Sequence, residues 1–146
     1  MGIGSQNLKR NYDEIKIGDK DSISKVISEE DVILFSKLSG DVNLIHLDEE
    51  FARKSPFKRR IVPGLLTSSL ISAVLGTKLP GVSTLYLSQS LKFLAPVFLG
   101  DQITAEVEVL SKIDNKRIVV LKTSVFNSDN VEVVSGEAVV KKIKED

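Results

Sequence analysis

The chain of 146 residues contains no cysteine and no tryptophan, and it has a single histidine. Without cysteine it can form neither a disulfide nor a thiolate metal site, and thiol nucleophilic catalysis is excluded. One histidine with scattered carboxylates is a poor ligand set for a metal centre, so we expect no metal cofactor. Any chemistry must rest on carboxylates, hydroxyls, backbone groups and one imidazole.

The chain also lacks an excess of charge of either sign, with 20 Lys and Arg against 20 Asp and Glu. Nucleic-acid binding depends largely on neutralising phosphates, so this balance argues against a nucleic-acid partner. One basic cluster contains Lys54, Lys58, Arg59 and Arg60. It could meet the phosphates of a nucleotide-bearing substrate, although short basic runs are more often solvated surface.

Long apolar runs are absent too, since no segment reaches the roughly 18 consecutive apolar residues of a membrane span. The first 20 residues are polar and lack the apolar core of a secretion signal. We therefore expect a soluble, cytoplasmic protein with no membrane partner. No linker, repeat or low-complexity segment interrupts the chain, so we predict a single domain over residues 1–146.

The most informative segment is GDVNLIHLD, residues 40–48, which sets Asp41 five residues before the only histidine, His46. Loops braced by rigid elements often carry catalytic groups, and histidine has the side-chain pKa closest to neutrality. The two residues are therefore candidates for an acid/base pair. The alternative is structural: the aspartate forms an Asx turn, and the histidine is half-buried among its apolar neighbours.

Helix signals stand on both sides of this segment. Residues 28–31, SEED, have the pattern of a capping box, and Gly40 suits the left-handed residue that ends a helix. Asp48 can cap a second, short helix over residues 49–54. These signals place Asp41 at the end of the first helix and His46 on the connector between the two helices.

A third helical segment, residues 65–75, contains no charged residue. A helix that is apolar or small on nearly every side must be buried. We therefore predict a central, buried helix whose serines, including Ser68, Ser69 and Ser72, lie inside the fold.

The start of this helix could take part in a reaction. Pro63 suits the first helical position, and Gly64 lets a ligand approach the backbone closely. Free N–H groups and the positive end of the helix dipole could then hold a developing oxyanion. The alternative is that Pro-Gly only forms a turn, as this dipeptide often does.

The second half of the chain has strand patterns joined by short turns. Apolar and polar residues alternate over residues 103–109, which is the period of a sheet with one solvated face. Helix and antiparallel strands together predict an α+β fold in which the sheet curls around the central helix. The predicted strands are residues 22–27, 82–93, 102–113, 117–126 and 131–143.

These segments together resemble the MaoC-like (R)-specific enoyl-CoA hydratases. The hydratase signature corresponds to FSKLSGDVNLIHLD at residues 35–48, with IVPGLL at residues 61–66. The resemblance covers nearly the whole chain from about residue 17, and the combination is far more specific than any one part. It continues through LPG at 79–81, YLSQSL at 86–91, Phe93, PVFLGD at 96–101 and GEAVVK at 136–141.

The resemblance implies a hotdog fold, a homodimer with sites near the subunit interface, and cofactor-free, reversible hydration of trans-2-enoyl-CoA to (R)-3-hydroxyacyl-CoA. By position, Asp41 and His46 would bind the reacting water, remove its proton and deliver a proton to C2. The Gly64 N–H would hold the thioester oxygen. Asn43 and Ser72 would support the hydrogen bonds of the site.

Two positions depart from the family pattern. Leu44 stands where the family usually has proline, and Pro63 stands where it usually has histidine. The second departure bears on substrate preference and turnover.

Two other functions compete with the hydratase. One is a hotdog acyl-CoA thioesterase, which would attack the carbonyl carbon. The other is a non-catalytic acyl-thioester-binding module in which Asp41 and His46 are structural.

Overall fold

The structure, a computed structural model, describes residues 10–145. The prediction of a single domain over residues 1–146, like that of an N-terminus without a secretion signal, lies partly outside this range and stays a prediction. None of the helices between residues 10 and 145 is long and apolar enough to cross a membrane. In chain order the elements are β1 Lys20–Val26, α1 Glu29–Ser39, α2 Leu44–Leu47, α3 Glu49–Arg53, α4 Gly64–Thr77, β2 Thr84–Gln89, β3 Lys92–Phe93, β4 Gln102–Ile113, β5 Ile118–Asn127 and β6 Glu132–Lys142.

The six strands form one antiparallel sheet in the order β1-β4-β5-β6-β2, and β3 also pairs with β6. The three long strands β4, β5 and β6 are consecutive neighbours, which confirms the predicted meander. Along β4 the buried residues alternate with more exposed ones, as the period of two predicted. These buried residues are Ile103, Ala105, Val107 and Val109.

Helix α4 packs against the inner face of this sheet and contacts β1, β2, β4 and β5. The helix contacts the strands at both ends of the strand order, β1 and β2, because the sheet curves around it. The buried side chains of α4 that join the core include Leu70, Ile71, Val74 and Leu75. The predicted α+β hotdog fold, with a curved antiparallel sheet around a central helix, is confirmed.

Helix α4 nevertheless has an exposed face, which the sequence pattern did not predict. Leu65 is 62% exposed, and Ser69 and Ser72 are also exposed. Spacings of four and three residues place these three side chains on one side of the helix. Only Ser68 is buried as predicted, with its hydroxyl donating to the carbonyl of Gly64 at 2.8 Å. The prediction that Ser69 and Ser72 lie inside the fold was wrong for the single chain, because the sheet covers only one side of α4.

Three details of the predicted elements also differ. The expected strand over residues 82–93 is divided into β2 and β3, and Gly136 on β6 lies against the division. A Cβ atom at Gly136 would stand 1.8 Å from the carbonyl oxygen of Ser90, so only glycine allows this approach. Pro63 is the N-cap of α4 rather than its first residue, and the helix continues to Thr77, beyond Gly76.

Candidate active site

Helix α1 delivers Asp41, as predicted. Its start is a capping box in which the Ser28 hydroxyl accepts from the Asp31 N–H at 3.1 Å, while the Asp31 carboxylate accepts from the Ser28 N–H at 2.9 Å. The second of these hydrogen bonds is the main cause that lowers the pKa of Asp31. At the other end Gly40 has a φ of 79° and closes the helix in the left-handed conformation. Asp41 therefore directly follows the C-cap of the helix.

His46 lies between α1 and α3, where the connector was predicted, but it belongs to a further one-turn helix, α2. Asn43 caps this turn, with its side-chain oxygen accepting from the Ile45 N–H at 3.3 Å. The Asn43 N–H in turn donates to the Asp41 carboxylate at 3.1 Å. Asp41 thus forms the Asx turn of the structural alternative, and the same contacts place its carboxylate beside the turn that carries the histidine.

The imidazole of His46 is held by the main chain. Its Nδ1 lies 2.8 Å from the carbonyl oxygen of Ile61. A carbonyl oxygen can only accept, so we assign the hydrogen to Nδ1. In the neutral ring Nε2 then carries a lone pair that can accept a proton. His46 is 9% exposed, so the ring is nearly enclosed by its surroundings.

Helix α4 presents Gly64 as its first residue, with Pro63 as N-cap. The N–H of a first helical residue has no acceptor within the helix, and the helix dipole adds positive potential there. The ring of Phe93 packs directly against Gly64. A Cβ atom at this glycine would lie 2.6 Å from Cε1 of the ring, so a larger residue would force the ring to move.

One cavity of about 500 Å³ brings the predicted groups together. Asp41, His46 and Gly64 all line it. Ser72 does not, because it points out from the exposed face of α4, and Asn43 serves as the cap of α2. Most of the remaining lining is apolar and includes Phe35, Phe57, Ile61, Leu65, Phe93, Leu94 and Val134.

Thr67, one turn into α4, is a lining residue that the sequence patterns did not single out. It is 2% exposed, and its hydroxyl has no hydrogen-bond partner. The hydroxyls of Ser68 and Thr77 on the same helix donate to the carbonyls four residues earlier. Thr67 differs from these two residues in lining the cavity. No local sequence signal reveals that position.

Arg60 is a second residue whose place the sequence did not indicate. In the sequence it belongs to one basic cluster with Lys54, Lys58 and Arg59, but these three are exposed whereas Arg60 is buried. Its Nε donates to the carbonyl oxygen of His46 at 2.8 Å. The cluster is therefore divided: Arg60 supports the histidine turn, and the other three cations face outward.

The cavity combines a carboxylate, an imidazole with a free Nε2 and a backbone donor at a helix N-terminus. Such a set can hold a water molecule between acid and base while it stabilises negative charge on a carbonyl oxygen. Its apolar walls suit an acyl chain. Among residues 10–145, no three His, Asp or Glu side chains come together as a metal ion would need.

The family model of the MaoC-like domain matches residues 13–131. An (R)-specific enoyl-CoA hydratase of Aeromonas caviae is 46% identical over 127 residues, covering 87% of this chain and 95% of that protein. An (R)-specific enoyl-CoA hydratase of Rhodospirillum rubrum is 45% identical over 129 residues, covering 88% and 89%.

A solved structure that is similar to this chain is also that of an (R)-hydratase. The (R)-hydratase from A. caviae involved in PHA biosynthesis superposes with a TM-score of 0.87 at 45% identity, covering 89% of this chain and 98% of that one. The family model spans far more than half of the chain, and both relatives are matched over most of their length. The chain therefore belongs to the MaoC-like domain family.

Proposed function

We propose that this protein is an (R)-specific enoyl-CoA hydratase, which reversibly hydrates trans-2-enoyl-CoA to (R)-3-hydroxyacyl-CoA. The observation that carries the proposal is that Asp41, His46 and Gly64 line the same cavity. The relatives from Aeromonas caviae and Rhodospirillum rubrum carry this activity in their names. A hydro-lyase needs the same elements: a water site, an acid/base pair and a donor for the thioester oxygen.

Asp41 and His46 are proposed to hold the reacting water. The lone pair of His46 Nε2 and the Asp41 carboxylate both accept hydrogen bonds, so a water molecule between them would turn its oxygen towards C3. As the C3–O bond forms, the pair removes one proton from this water and delivers a proton to C2. The reverse sequence of transfers eliminates water from the 3-hydroxyacyl thioester.

The Gly64 N–H is proposed to bind the thioester oxygen. Addition of water at C3 moves electron density onto this oxygen as an enolate, and a preorganised donor stabilises that charge. Pro63 does not remove the donor, because the N–H belongs to Gly64. It does replace the polar side chain that the family usually carries there, so the thioester group meets a more apolar surface.

The acyl carrier is proposed to be coenzyme A, as in the names of the two hydratase relatives. Lys58 and Arg59 are exposed next to Phe57, which lines the cavity, so their charges are available to the phosphates of this carrier. No cofactor is required, because a water molecule, two side chains and one backbone N–H supply every group the reaction uses.

A homodimer in the cytoplasm is proposed as the working form. Strand β2 is an edge of the sheet, paired with β6 only on one side. Its residues Leu85, Tyr86 and Leu87 are 40–47% exposed, and an exposed apolar edge invites pairing with a second strand. A second copy would cover it, and sedimentation as a monomer at micromolar concentration would contradict this part of the proposal.

The test is the loss of enoyl-thioester absorbance when the purified protein meets crotonyl-CoA, run beside a thiol-release assay. Asp41→Asn should abolish the loss, since an amide cannot accept the proton. Asp48→Asn is the matched control: Asp48 caps α3, does not line the cavity, and asparagine caps a helix equally well. Thiol release without hydration would indicate a thioesterase, and neither signal with several chain lengths would indicate a binding module.

A further inference from the structure

Arg60 is a buried cation beside the site that the proposed chemistry does not use. Its side chain is 9% exposed, although Lys58 and Arg59 next to it face solvent. A buried charge is costly unless it is paired and hydrogen-bonded. Nη1 lies 2.8 Å from the carboxylate of Glu29 and 3.8 Å from that of Glu49, so acids on α1 and α3 compensate the charge.

The remaining partner of Arg60 is the main chain of His46, whose carbonyl oxygen accepts from Nε at 2.8 Å. Helix α2 is a single turn, which is too short to be stable by itself. The last carbonyls of a helix have no partners within it. Here the carbonyl of Ile45 accepts from the Ile61 N–H at 3.3 Å, and that of His46 accepts from Arg60. The helical turn that carries the imidazole is therefore held by hydrogen bonds from residues outside the turn.

Arg60 also begins the segment that leads into α4. Ile61, the next residue, accepts from Nδ1 of His46 at 2.8 Å. The following N–H, of Val62, is anchored to the loop before β4 by a 2.7 Å hydrogen bond to the carbonyl of Val97. Arg60 thus holds the main chain of His46 while Ile61 holds its ring. The short segment from Arg60 to the start of α4 therefore links the His46 imidazole to the first N–H of that helix.

We propose that Arg60 is a positioning residue for the hydration reaction: it places the His46 imidazole against the substrate without touching the substrate. The kinetic part of this inference rests on the proposed function. A displacement of a catalytic group by about 1 Å can cost about 100-fold in rate. Loss of the guanidinium should therefore lower kcat, whereas KM should change little because the cavity walls stay in place.

The kinetic experiment compares three variants with crotonyl-CoA, each normalised to the folded fraction from circular dichroism. Arg60→Met keeps the apolar stem, and Arg60→Lys keeps the charge but not the fork of donors. Arg53→Met is the matched control, because Arg53 is an exposed residue at the end of α3 and does not line the cavity. We expect kcat to fall about 10- to 100-fold in Arg60→Met, to recover in part in Arg60→Lys, and to stay unchanged in Arg53→Met.

Two kinetic results would overturn the proposal. An unchanged kcat in Arg60→Met with a lower melting temperature would give Arg60 a purely structural role. A rise in KM with unchanged kcat would mean that Arg60 acts on substrate binding. If Arg60→Met does not fold, Arg60→Lys decides by the same criteria.

A second measurement needs no turnover. His46 is the only histidine of the chain, so nitrogen-15 NMR of untagged protein reports on this imidazole alone. The wild type should show Nδ1 protonated and one ring environment, and Arg60→Met should shift the signals towards the tautomer mixture of a free imidazole. An unchanged spectrum overturns the proposal. If the wild type hydrates no enoyl-CoA but the spectrum changes in Arg60→Met, the proposed function fails and the positioning of His46 by Arg60 stands.

Discussion

The Nδ1 atom of His46 lies 2.8 Å from the carbonyl oxygen of Ile61, three residues before Gly64. This contact fixes the ring orientation and assigns the hydrogen to Nδ1, because a carbonyl cannot donate. It also ties the proposed base to the segment that presents the proposed oxyanion donor. Because this contact occupies Nδ1, Nε2 is the ring nitrogen that can act as a general base.

This contact predicts that His46→Asn separates folding from catalysis. The asparagine amide can reach the position of Nδ1 and donate to the Ile61 carbonyl, but it has no group at the position of Nε2. We expect a melting temperature within a few degrees of wild type and a fall in kcat/KM of about 100- to 10,000-fold, the usual contribution of a general base. Crotonyl-CoA hydration measures the second quantity. Activity within threefold of wild type would remove His46 from the mechanism.

The packing of Phe93 on Gly64 predicts a coupled effect. In Gly64→Ala the new methyl would start 2.6 Å from the ring, so the ring must swing away along the cavity. We expect a loss of about 1–3 kcal/mol in the free energy of unfolding, as overpacking typically costs, and a lower hydration rate. The double variant Gly64→Ala/Phe93→Leu should lose less stability than the sum of its single variants.

Urea unfolding of the wild type, both single variants and the double variant measures this coupling. Strict additivity would mean that the ring adjusts freely and that the glycine serves another purpose. Hydration by the double variant separates the two roles of this position. It should stay low if the methyl itself obstructs the approach to the Gly64 N–H, and recover if the displaced ring was the cause.

The unpartnered hydroxyl of Thr67 predicts a stabilising substitution. A buried polar group without a hydrogen bond costs about 1–3 kcal/mol, and an apolar group of the same shape removes that cost. Thr67→Val should therefore raise the free energy of unfolding of the ligand-free protein. Thr77→Val is the matched control, since its hydroxyl donates to the carbonyl of Ala73 and its loss should lower stability slightly. A lower melting temperature for Thr67→Val would show that the hydroxyl has a partner.

Local signals in the sequence predicted those parts of the site that depend on neighbouring residues. The capping box at Ser28 and the left-handed Gly40 follow from residues within a few positions, so the end of α1 and the place of Asp41 could be predicted. The alternation along β4 follows in the same way from a sheet with one buried face. The one local signal missed was Asn43, a favoured N-cap residue, which marks the start of α2.

The inward turn of Arg60 could not be predicted, because its partner Glu29 stands 31 positions away and nothing local distinguishes it from Arg59. Likewise, the uncharged α4 segment indicated burial but not which side the sheet would leave open. Ser69 and Ser72 satisfy the same pattern as Ser68, and only the position of the strands separates them. Contacts between segments that are distant in the sequence therefore decide which residues of such a pattern are buried.

The capping box of α1 predicts a pH-dependent loss of stability, because the Ser28 N–H lowers the pKa of Asp31. A lowered pKa in the folded state stabilises the protein at pH values above the unfolded pKa, and this contribution is lost as pH falls through the folded value. Asp31→Asn should therefore cost about 0.5–2 kcal/mol at pH 7, the range of a lost helix cap. The difference should shrink below about pH 4, where aspartate ordinarily takes up its proton. Urea unfolding at pH 7, 5 and 3 measures it, with Asp129→Asn in the turn before β6 as a control. A difference that stays constant across these three pH values would contradict the charge-dependent cap and leave only the loss of packing as its cause.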